Sequence, residues 1–250
     1  MKINSDINIL GSLPDWNLIN VFLKESIDAM LKNGGIYSYT SIKTDKSVKR
    51  FEKAITATFL QYKNDEIQYL LKSILHEEEI SNDSLFMLFW NGSVNNELLH
   101  YLNIHVYFPA FYSGRLVLKK EEVSACIIEL KETEQGIKNW TIETINTVGR
   151  KYLTLLKKLN LMEGSQNKTI VHPYLNDKMF VLFVYWITAI ESKSNLLESE
   201  WLKYSFFDRP VFIERLMQKK FSNYFQLLYT GDKLNIEALV PYSTIYHDIK

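Results

Sequence analysis

Residues 139–164 read NWTIETINTVGRKYLTLLKKLNLMEG, and the fold prediction starts from this segment. Its apolar residues recur at spacings of three and four, which is typical of an amphipathic α-helix with one buried face. The residues on that apolar face are Ile142, Ile145, Val148, Tyr152, Leu155, Leu156 and Leu159. The sequence therefore predicts a helix that packs on a core through this face and leaves open what its other face does.

The opposite face of this helix becomes basic towards its C-terminal end. Glu143 and Thr147 come first, and the face then carries Arg150, Thr154, Lys157 and Lys158, with Lys151 at its edge. Cations in the last turns of a helix also complement the helix dipole, by about 0.3–1 kcal/mol each. Two interpretations thus stay open, a solvated helix end and a surface for an anionic partner.

The neighbouring elements favour the second interpretation. A helix predicted over residues 119–133 and the polar turn EQGIKN come before the quoted helix, and strand-like pieces at residues 161–163 and 169–172 follow it. Helix, turn, helix and hairpin occur in this order in winged-helix DNA-binding domains. In such a module Lys168 of the hairpin turn, and Arg115, Lys119 or Lys120, would meet phosphate groups. Winged-helix units also serve as protein-docking modules.

Composition places the whole chain in the mainly α class. Of its 250 residues 46% are apolar and 14% aromatic, while nine Gly and five Pro leave little room for turn-rich β structure. Helical patterns also run over residues 12–30, 45–62, 65–78, 83–91, 94–107, 177–191 and 209–220. Pro109 and the following YSG are predicted to stop the helical pattern, and a last hairpin is predicted to turn at Gly231 and Asp232.

We therefore predict a mainly α, multi-helical fold with a winged-helix-like helix-turn-helix and short β-hairpins. The predicted organisation is a helical N-terminal region, residues 1–114, and a winged-helix-like and C-terminal helical and hairpin region, residues 115–250. We expect the two regions to pack as one compact unit. Residues 179–190, MFVLFVYWITAI, are the most membrane-like run, but a bilayer span needs about 20 residues. We expect that run to be a buried helix and, because the N-terminus lacks signal-peptide features, we expect a cytoplasmic protein without membrane contact.

The charges of the chain cancel, with 29 Lys and Arg against 29 Asp and Glu. Any nucleic-acid site must therefore be a local patch rather than a property of the whole molecule. One such patch is predicted on the helix over residues 45–62, where the basic residues lie on the side opposite Val48, Ile55 and Phe59. These basic residues are Lys46, Lys49, Arg50 and Lys53.

Enzyme motifs find little support in the sequence. It contains no GxxxxGK[ST], HExxH or GxSxG pattern, and its five histidines lack the spacing of metal ligands. The single cysteine, Cys126, is interpreted as a buried thiol. The fragment IIELK, with Glu129 and Lys131, resembles part of a metal-dependent nuclease strand, but the run is better explained as a helix and its nearest upstream aspartate is Asp83. We therefore expect no catalytic residues, no metal and no cofactor.

Four segments are similar to the BrxA family of bacteriophage exclusion (BREX) defence systems. GSLPDWNLINVFL resembles the family's glycine-led first helix, and DKSVKRFEKAITATFL its basic second helix. Residues 85–127 are similar to its aromatic middle. WTIETINTVGRKYLTLLKKLNLMEG resembles its most recognisable segment, a Trp and a Ser or Thr that open a helix ending in L..L.L. Together these segments extend over most of the chain.

The resemblance implies a non-enzymatic, helix-rich accessory protein with winged-helix character, which binds double-stranded DNA and supports phage restriction alongside other BREX proteins. The matched positions with a DNA-facing role are Lys46, Lys49, Arg50, Lys53, Arg150, Lys151, Lys157 and Lys158, and Lys168 is added by the winged-helix interpretation. Zero net charge argues against strong unspecific affinity for DNA. The alternative is a protein-interaction scaffold within the defence complex that has no direct contact with nucleic acid.

Overall fold

The computed structural model describes residues 3–14, 16, 18–19, 22, 42, 44–75, 80–165, 167–191 and 194–249. These residues are mainly helical with two short antiparallel hairpins, which confirms the prediction of a mainly α, multi-helical fold with short β-hairpins. The predicted helix over residues 12–30 and the extended stretch after it lie mostly outside the described residues. In chain order the helices are α1 (Asp6–Leu10), α2 (Asp45–Phe59), α3 (Asp65–Leu75), α4 (Asn82–Asn95), α5 (Glu97–Leu102), α6 (Phe108–Tyr112), α7 (Lys120–Thr133), α8 (Ile142–Lys158), α9 (Asp177–Ile190), α10 (Arg209–Leu216) and α11 (Ile245–Asp248).

Two compact units make up the chain. The first consists of Met1–Gln61 and Glu77–Val171, and the second of Tyr62–His76 and His172–Lys250. The first unit contains the hairpin of β1 (Met162–Glu163) and β2 (Thr169–Ile170), and the second that of β3 (Phe225–Tyr229) and β4 (Leu234–Ala238). The bounds of these two units differ from the predicted regions, residues 1–114 and 115–250. The predicted division into those two regions remains a sequence-based prediction.

Side-chain caps fix the starts of the main helices. The side chain of Thr141 accepts a hydrogen bond from the backbone N–H of Thr144 at 3.2 Å, and opens α8. Asn176 does the same for α9, with Met179 as donor at 2.8 Å. Such caps satisfy backbone donors that have no partner inside the helix. The beginnings of both helices therefore follow from local sequence.

The helical pattern continues past Pro109, where it was predicted to stop, and ends at Tyr112, within the predicted YSG. α5 runs into a π-helical segment, Asn103–Tyr107, and then directly into α6, where Pro109 occupies the first turn. Proline has no backbone N–H, so the helical path lacks one hydrogen bond at Pro109, next to the π-helical segment where the bonding pattern changes. A buried chain of hydrogen bonds holds the π segment: Tyr152 donates to Asn103 at 2.8 Å, and Asn103 donates to Ser93 at 3.0 Å.

The core of the first unit lies under the apolar face of α8. This helix contacts α1, α7 and β1, and buries Ile145, Val148 and Tyr152 completely. Ile142 was predicted to share that buried face, but it is 59% exposed. It is the first residue of α8, and the residues just before it, 138–141, are themselves exposed or half-exposed. Among the described residues, therefore, none covers most of the Ile142 side chain.

The second unit is built around α9, which confirms the predicted buried helix. Every residue from Met179 to Ile187 is buried. Aromatic rings enclose this helix: Phe180 packs on Phe212 and Phe221, and Trp186 packs on Trp201. The hairpin β3–β4 turns at Gly231, whose φ of +92° suits glycine, as the sequence predicted. Among the described helices, none has both the length and the apolar character needed to cross a bilayer.

Candidate nucleic-acid interface

A short ladder of backbone hydrogen bonds connects the segment before α7 to the first hairpin. Val117 forms an antiparallel bridge with Thr169. The N–H of Leu118 donates to the carbonyl of Lys168 at 3.2 Å, and the N–H of Ile170 donates to that of Leu116 at 2.8 Å. β2 therefore lies between the Leu116–Leu118 segment and β1. Along the chain, the order is extended segment, helix, helix and hairpin.

The two helices that lie along the chain between the paired segment and the hairpin, α7 and α8, approach each other closely. Ser124 donates a hydrogen bond to Asn146 at 3.0 Å. A Cβ atom at Gly149 would lie 3.1 Å from the hydroxyl of Ser124 and 3.3 Å from the carbonyl of Lys120. Only a residue without a side chain allows this distance between the helices without displacing a neighbour. The pair thus forms a fixed support for the outer face of α8.

Lys157 joins the C-terminal end of α8 to the hairpin, and Lys168 of the hairpin turn meets it there. The ammonium groups of Lys157 and Lys168 both donate to the carbonyl oxygen of Gly164, at 2.9 Å and 3.3 Å. Burial and the nearby charge of Lys157 lower the pKa of Lys168. The structure therefore brings together two of the nine predicted site residues, one from the helix and one from the hairpin.

Arg150 extends this basic surface along the helix. It lies seven residues before Lys157, about two turns of helix, so that both side chains occupy the same face, and both are exposed. We call Arg150, Lys157 and Lys168 the hairpin cation group. Within the described part of the chain, none of the three forms a salt bridge with a carboxylate. The group therefore carries three positive charges with which no described carboxylate forms a salt bridge.

Lys151 and Lys158 have a different environment, on the side of α8 that faces the N-terminal segment. The ammonium group of Lys158 donates to the carbonyl of Leu13, and the indole of Trp16 donates to the carbonyl of Lys158 at 3.0 Å. A Cβ atom at Gly11 would lie 2.4 Å from the carbonyl of Lys151. Burial, followed by the charge of Lys151, lowers the pKa of Lys158. These two half-buried lysines hold the N-terminal segment on α8.

The remaining predicted residues lie along α2. Lys46, Lys49, Arg50 and Lys53 are all exposed, on the side of α2 away from its buried residues such as Val48 and Ile55. We call these four the α2 row. Asp6 of α1 lies close enough to Lys53 for its charge to act on the Asp6 carboxyl, although burial dominates and raises the pKa of that carboxyl. α1 contacts both α2 and α8.

Comparison with known protein families identifies the chain. The BrxA family model matches residues 22–184. This chain belongs to the BrxA family. The matched region includes α2, the pair α7 and α8, and the first hairpin, and so contains every predicted site residue. Membership of the BrxA family implies a role in BREX phage defence. No match was found among curated proteins or among solved structures.

In this BrxA-family chain, a carboxylate of α7 pairs with a cation that was predicted to contact phosphate. Arg115 forms a 2.6 Å salt bridge with Glu122, whose carboxylate also accepts from the N–H of Lys119 at 3.0 Å. Burial acts to raise the pKa of Glu122, but these two donors outweigh it and hold the pKa below its usual range. Arg115, which the sequence offered as a phosphate contact, is therefore paired within the unit. The spacing of Lys119 and Glu122 is that of a capping box and predicts the backbone bond, but the salt bridge to Arg115 was not predicted from the sequence.

Cys126 is buried on the inner side of α7, as predicted. Burial, together with the nearby charge of Glu129, raises the pKa of its thiol to about 11. The thiol is consequently protonated at neutral pH. The fragment IIELK forms part of α7, and Glu129 lies on the exposed side of that helix. Among the described residues, no three His, Cys, Asp or Glu side chains converge in the manner of metal ligands.

Proposed function

We propose that this BrxA-family protein is a non-enzymatic, DNA-binding component of a BREX phage-defence system that acts alongside other BREX proteins. The proposed contact with duplex DNA is made by the hairpin cation group, with the α2 row as a second basic surface. One observation carries the proposal: Lys157 at the end of α8 and Lys168 of the adjoining hairpin meet at one carbonyl oxygen, Arg150 lies two turns earlier on the same face, and no described carboxylate forms a salt bridge with any of the three. Elsewhere in the same unit a comparable cation, Arg115, is paired with Glu122.

The connectivity around α7 and α8 supports a winged-helix mode of binding. An extended segment, two helices and a hairpin follow one another, and the extended segment pairs with the second hairpin strand, β2. In winged-helix domains the second helix of the pair lies near a groove and the hairpin, or wing, lies along the backbone. α8 and the β1–β2 turn would take these two roles. The cations lie in the second half of α8, whereas Glu143 is exposed in its first half.

This distribution of charge favours contacts with phosphate groups over contacts with base edges. Phosphate contacts position a protein on DNA without reading its sequence. Each neutralised phosphate steepens the dependence of log K on log salt by about 0.9. Two or three such contacts give a slope of about −2 to −3. We therefore expect weak, salt-sensitive binding to duplex DNA with little sequence preference.

Charge reversal on α8 tests the proposal directly. Arg150→Glu with Lys157→Glu should weaken binding to a labelled duplex at least about tenfold and reduce the salt slope by about 2, measured by fluorescence anisotropy at several salt concentrations. The matched control is Lys219→Glu with Lys233→Glu, because both residues are exposed in the second unit and the change in net charge is the same. The control should bind nearly as the unaltered protein does. Equal losses in the two double variants, or no binding by the unaltered protein, would remove the DNA proposal.

A protein-interaction scaffold is the second candidate function, and one observation favours it. An open groove in the second unit is bordered by apolar side chains, of which Met217 and Leu239 are half exposed, and Leu228 on the nearby β3 is 64% exposed. Large exposed apolar side chains at a groove are common at protein interfaces. A scaffold of this kind would co-purify with other defence proteins at high salt, and its binding would not respond to the charge reversals on α8.

A further inference from the structure

The turn of the first hairpin holds two ammonium groups in an arrangement that suits a specific ligand. We propose that Lys157 and Lys168, both bound to the carbonyl oxygen of Gly164, hold a single phosphate group between them. We call this the two-lysine phosphate site. The inference rests on the proposed function only for the source of the phosphate, which would be the DNA backbone. The site itself suits any accessible phosphate group.

The two ammonium groups lie close enough for one phosphate group to contact both. Since both ammonium nitrogens lie within 3.3 Å of one oxygen atom, they cannot be farther apart than the two hydrogen-bond lengths together. Each lysine ammonium has three N–H donors, and one of them is used by Gly164. Ammonium groups approach phosphate oxygens to about 2.7–2.9 Å. One phosphate with oxygens directed at both groups can therefore satisfy a donor of each lysine at the same time.

The positive charges of Lys157 and Lys168 also favour an anionic ligand. Two like charges held this close repel each other, and the pKa of Lys168, lowered by burial and then by Lys157, reports that repulsion. Neither ammonium forms a salt bridge with a carboxylate among the described residues. The carbonyl of Gly164 supplies only a dipole. An anion between the two groups would provide the counter-charge that no described salt bridge supplies.

The backbone around the site is held in place by its surroundings. Lys157 projects from α8, and the backbone of Lys168 is fixed by its bond to Leu118 in the ladder. Gly164 has a φ of +83°, and a Cβ atom there would lie 2.1 Å from the carbonyl of Asn167, so that only glycine fits this turn. The backbone positions from which the two lysines extend are consequently fixed by the surrounding structure. Such preorganisation lowers the entropic cost of binding.

A salt titration with duplex DNA distinguishes one shared phosphate from two separate ones. The variants are Lys157→Gln, Lys168→Gln and the double variant, and the control is Lys219→Gln with Lys233→Gln. If the two lysines share one phosphate, the double variant loses about 0.9 from the salt slope, and the two single variants show non-additive losses of affinity. A loss of about 1.8 in the double variant, with additive single effects, would mean two separate phosphates and would overturn the site.

Inorganic phosphate provides an arm that does not depend on DNA. The thermal midpoint is measured for the unaltered protein and for the double variant, in phosphate and in chloride of equal ionic strength. Phosphate stabilises most proteins non-specifically, so the relevant quantity is the extra increase in the unaltered protein over the double variant. An extra increase without DNA binding upholds the site and rejects the DNA proposal. A slope loss of about 0.9 without that increase upholds the site for backbone phosphate. If both the slope loss and the extra increase are absent, the site is overturned.

Discussion

α8 and α9 are helices of similar length, 17 and 14 residues, that bury very different parts of their surface. α9 buries ten of its residues, on all sides, among the aromatic rings of the second unit. α8 buries seven, on one side, and its outer side carries the cations. A helix that is apolar all round serves the core alone, whereas an amphipathic helix retains a face for other contacts. Changes in α9 should therefore act on stability, and changes on the outer face of α8 on binding.

The largest effect is expected from Trp186→Ala in α9. Trp186 is fully buried and packs on Phe183, Trp201 and Tyr204 at ring-centre distances of 5.7, 5.6 and 6.0 Å. Replacing a buried aromatic side chain by Ala removes these contacts and leaves a cavity, which costs about 3–5 kcal/mol of unfolding free energy. Urea unfolding followed by circular dichroism measures this loss. A loss below about 1 kcal/mol would contradict the enclosed position of α9.

A smaller effect is expected from Tyr152→Phe on the buried side of α8. The substitution removes only the hydroxyl that donates to Asn103 at 2.8 Å, and so leaves a buried acceptor without this bond. The expected loss is about 1–3 kcal/mol in unfolding free energy, with DNA affinity unchanged because the outer face of α8 is untouched. Tyr69→Phe is the control, since Tyr69 is half exposed on α3. Equal effects of the two substitutions would show that the bond to Asn103 contributes nothing to stability.

Features encoded locally could be predicted from the sequence. The apolar composition and spacing predicted both helices, with α9 expected over residues 177–191 and observed over Asp177–Ile190, because such patterns depend on neighbours within a few turns. The second hairpin was predicted for the same reason, as its turn residue Gly231 requires a positive φ. The family resemblance, confirmed by the match over residues 22–184, was likewise contained in short segments.

Features that depend on distant partners could not be predicted. The sequence placed Lys157 and Lys158 together on one basic face, but Lys158 donates to Leu13, 145 residues away, while Lys157 donates to the first hairpin. The continuation of the helical path through Pro109 depends on the π segment, whose bond from Tyr152 joins residues 49 apart. Side-chain partners of this kind are set by tertiary packing, which local periodicity does not contain.

The smallest effect on stability is expected from Ile142→Ala, at the position where the predicted buried face of α8 was wrong. Ile142 is 59% exposed, whereas Ile145, one turn later, is fully buried. Ile142→Ala should change the unfolding free energy by no more than about 0.5 kcal/mol. Ile145→Ala is the matched control and should cost about 2–5 kcal/mol. The unfolding free energies of both variants are measured by urea unfolding under the same conditions.

The same pair of variants also locates the DNA contact along α8. The hairpin cation group lies towards the end of the helix opposite to Ile142, so Ile142→Ala should retain the affinity for duplex DNA measured by anisotropy. A loss of affinity without a loss of stability would place the first turn of α8 in the interface as well. An apolar contact there would respond little to salt, whereas the phosphate contacts of Arg150 and Lys157 would respond strongly. The salt dependence of the loss therefore separates a base-edge contact at the start of α8 from backbone contacts at its end.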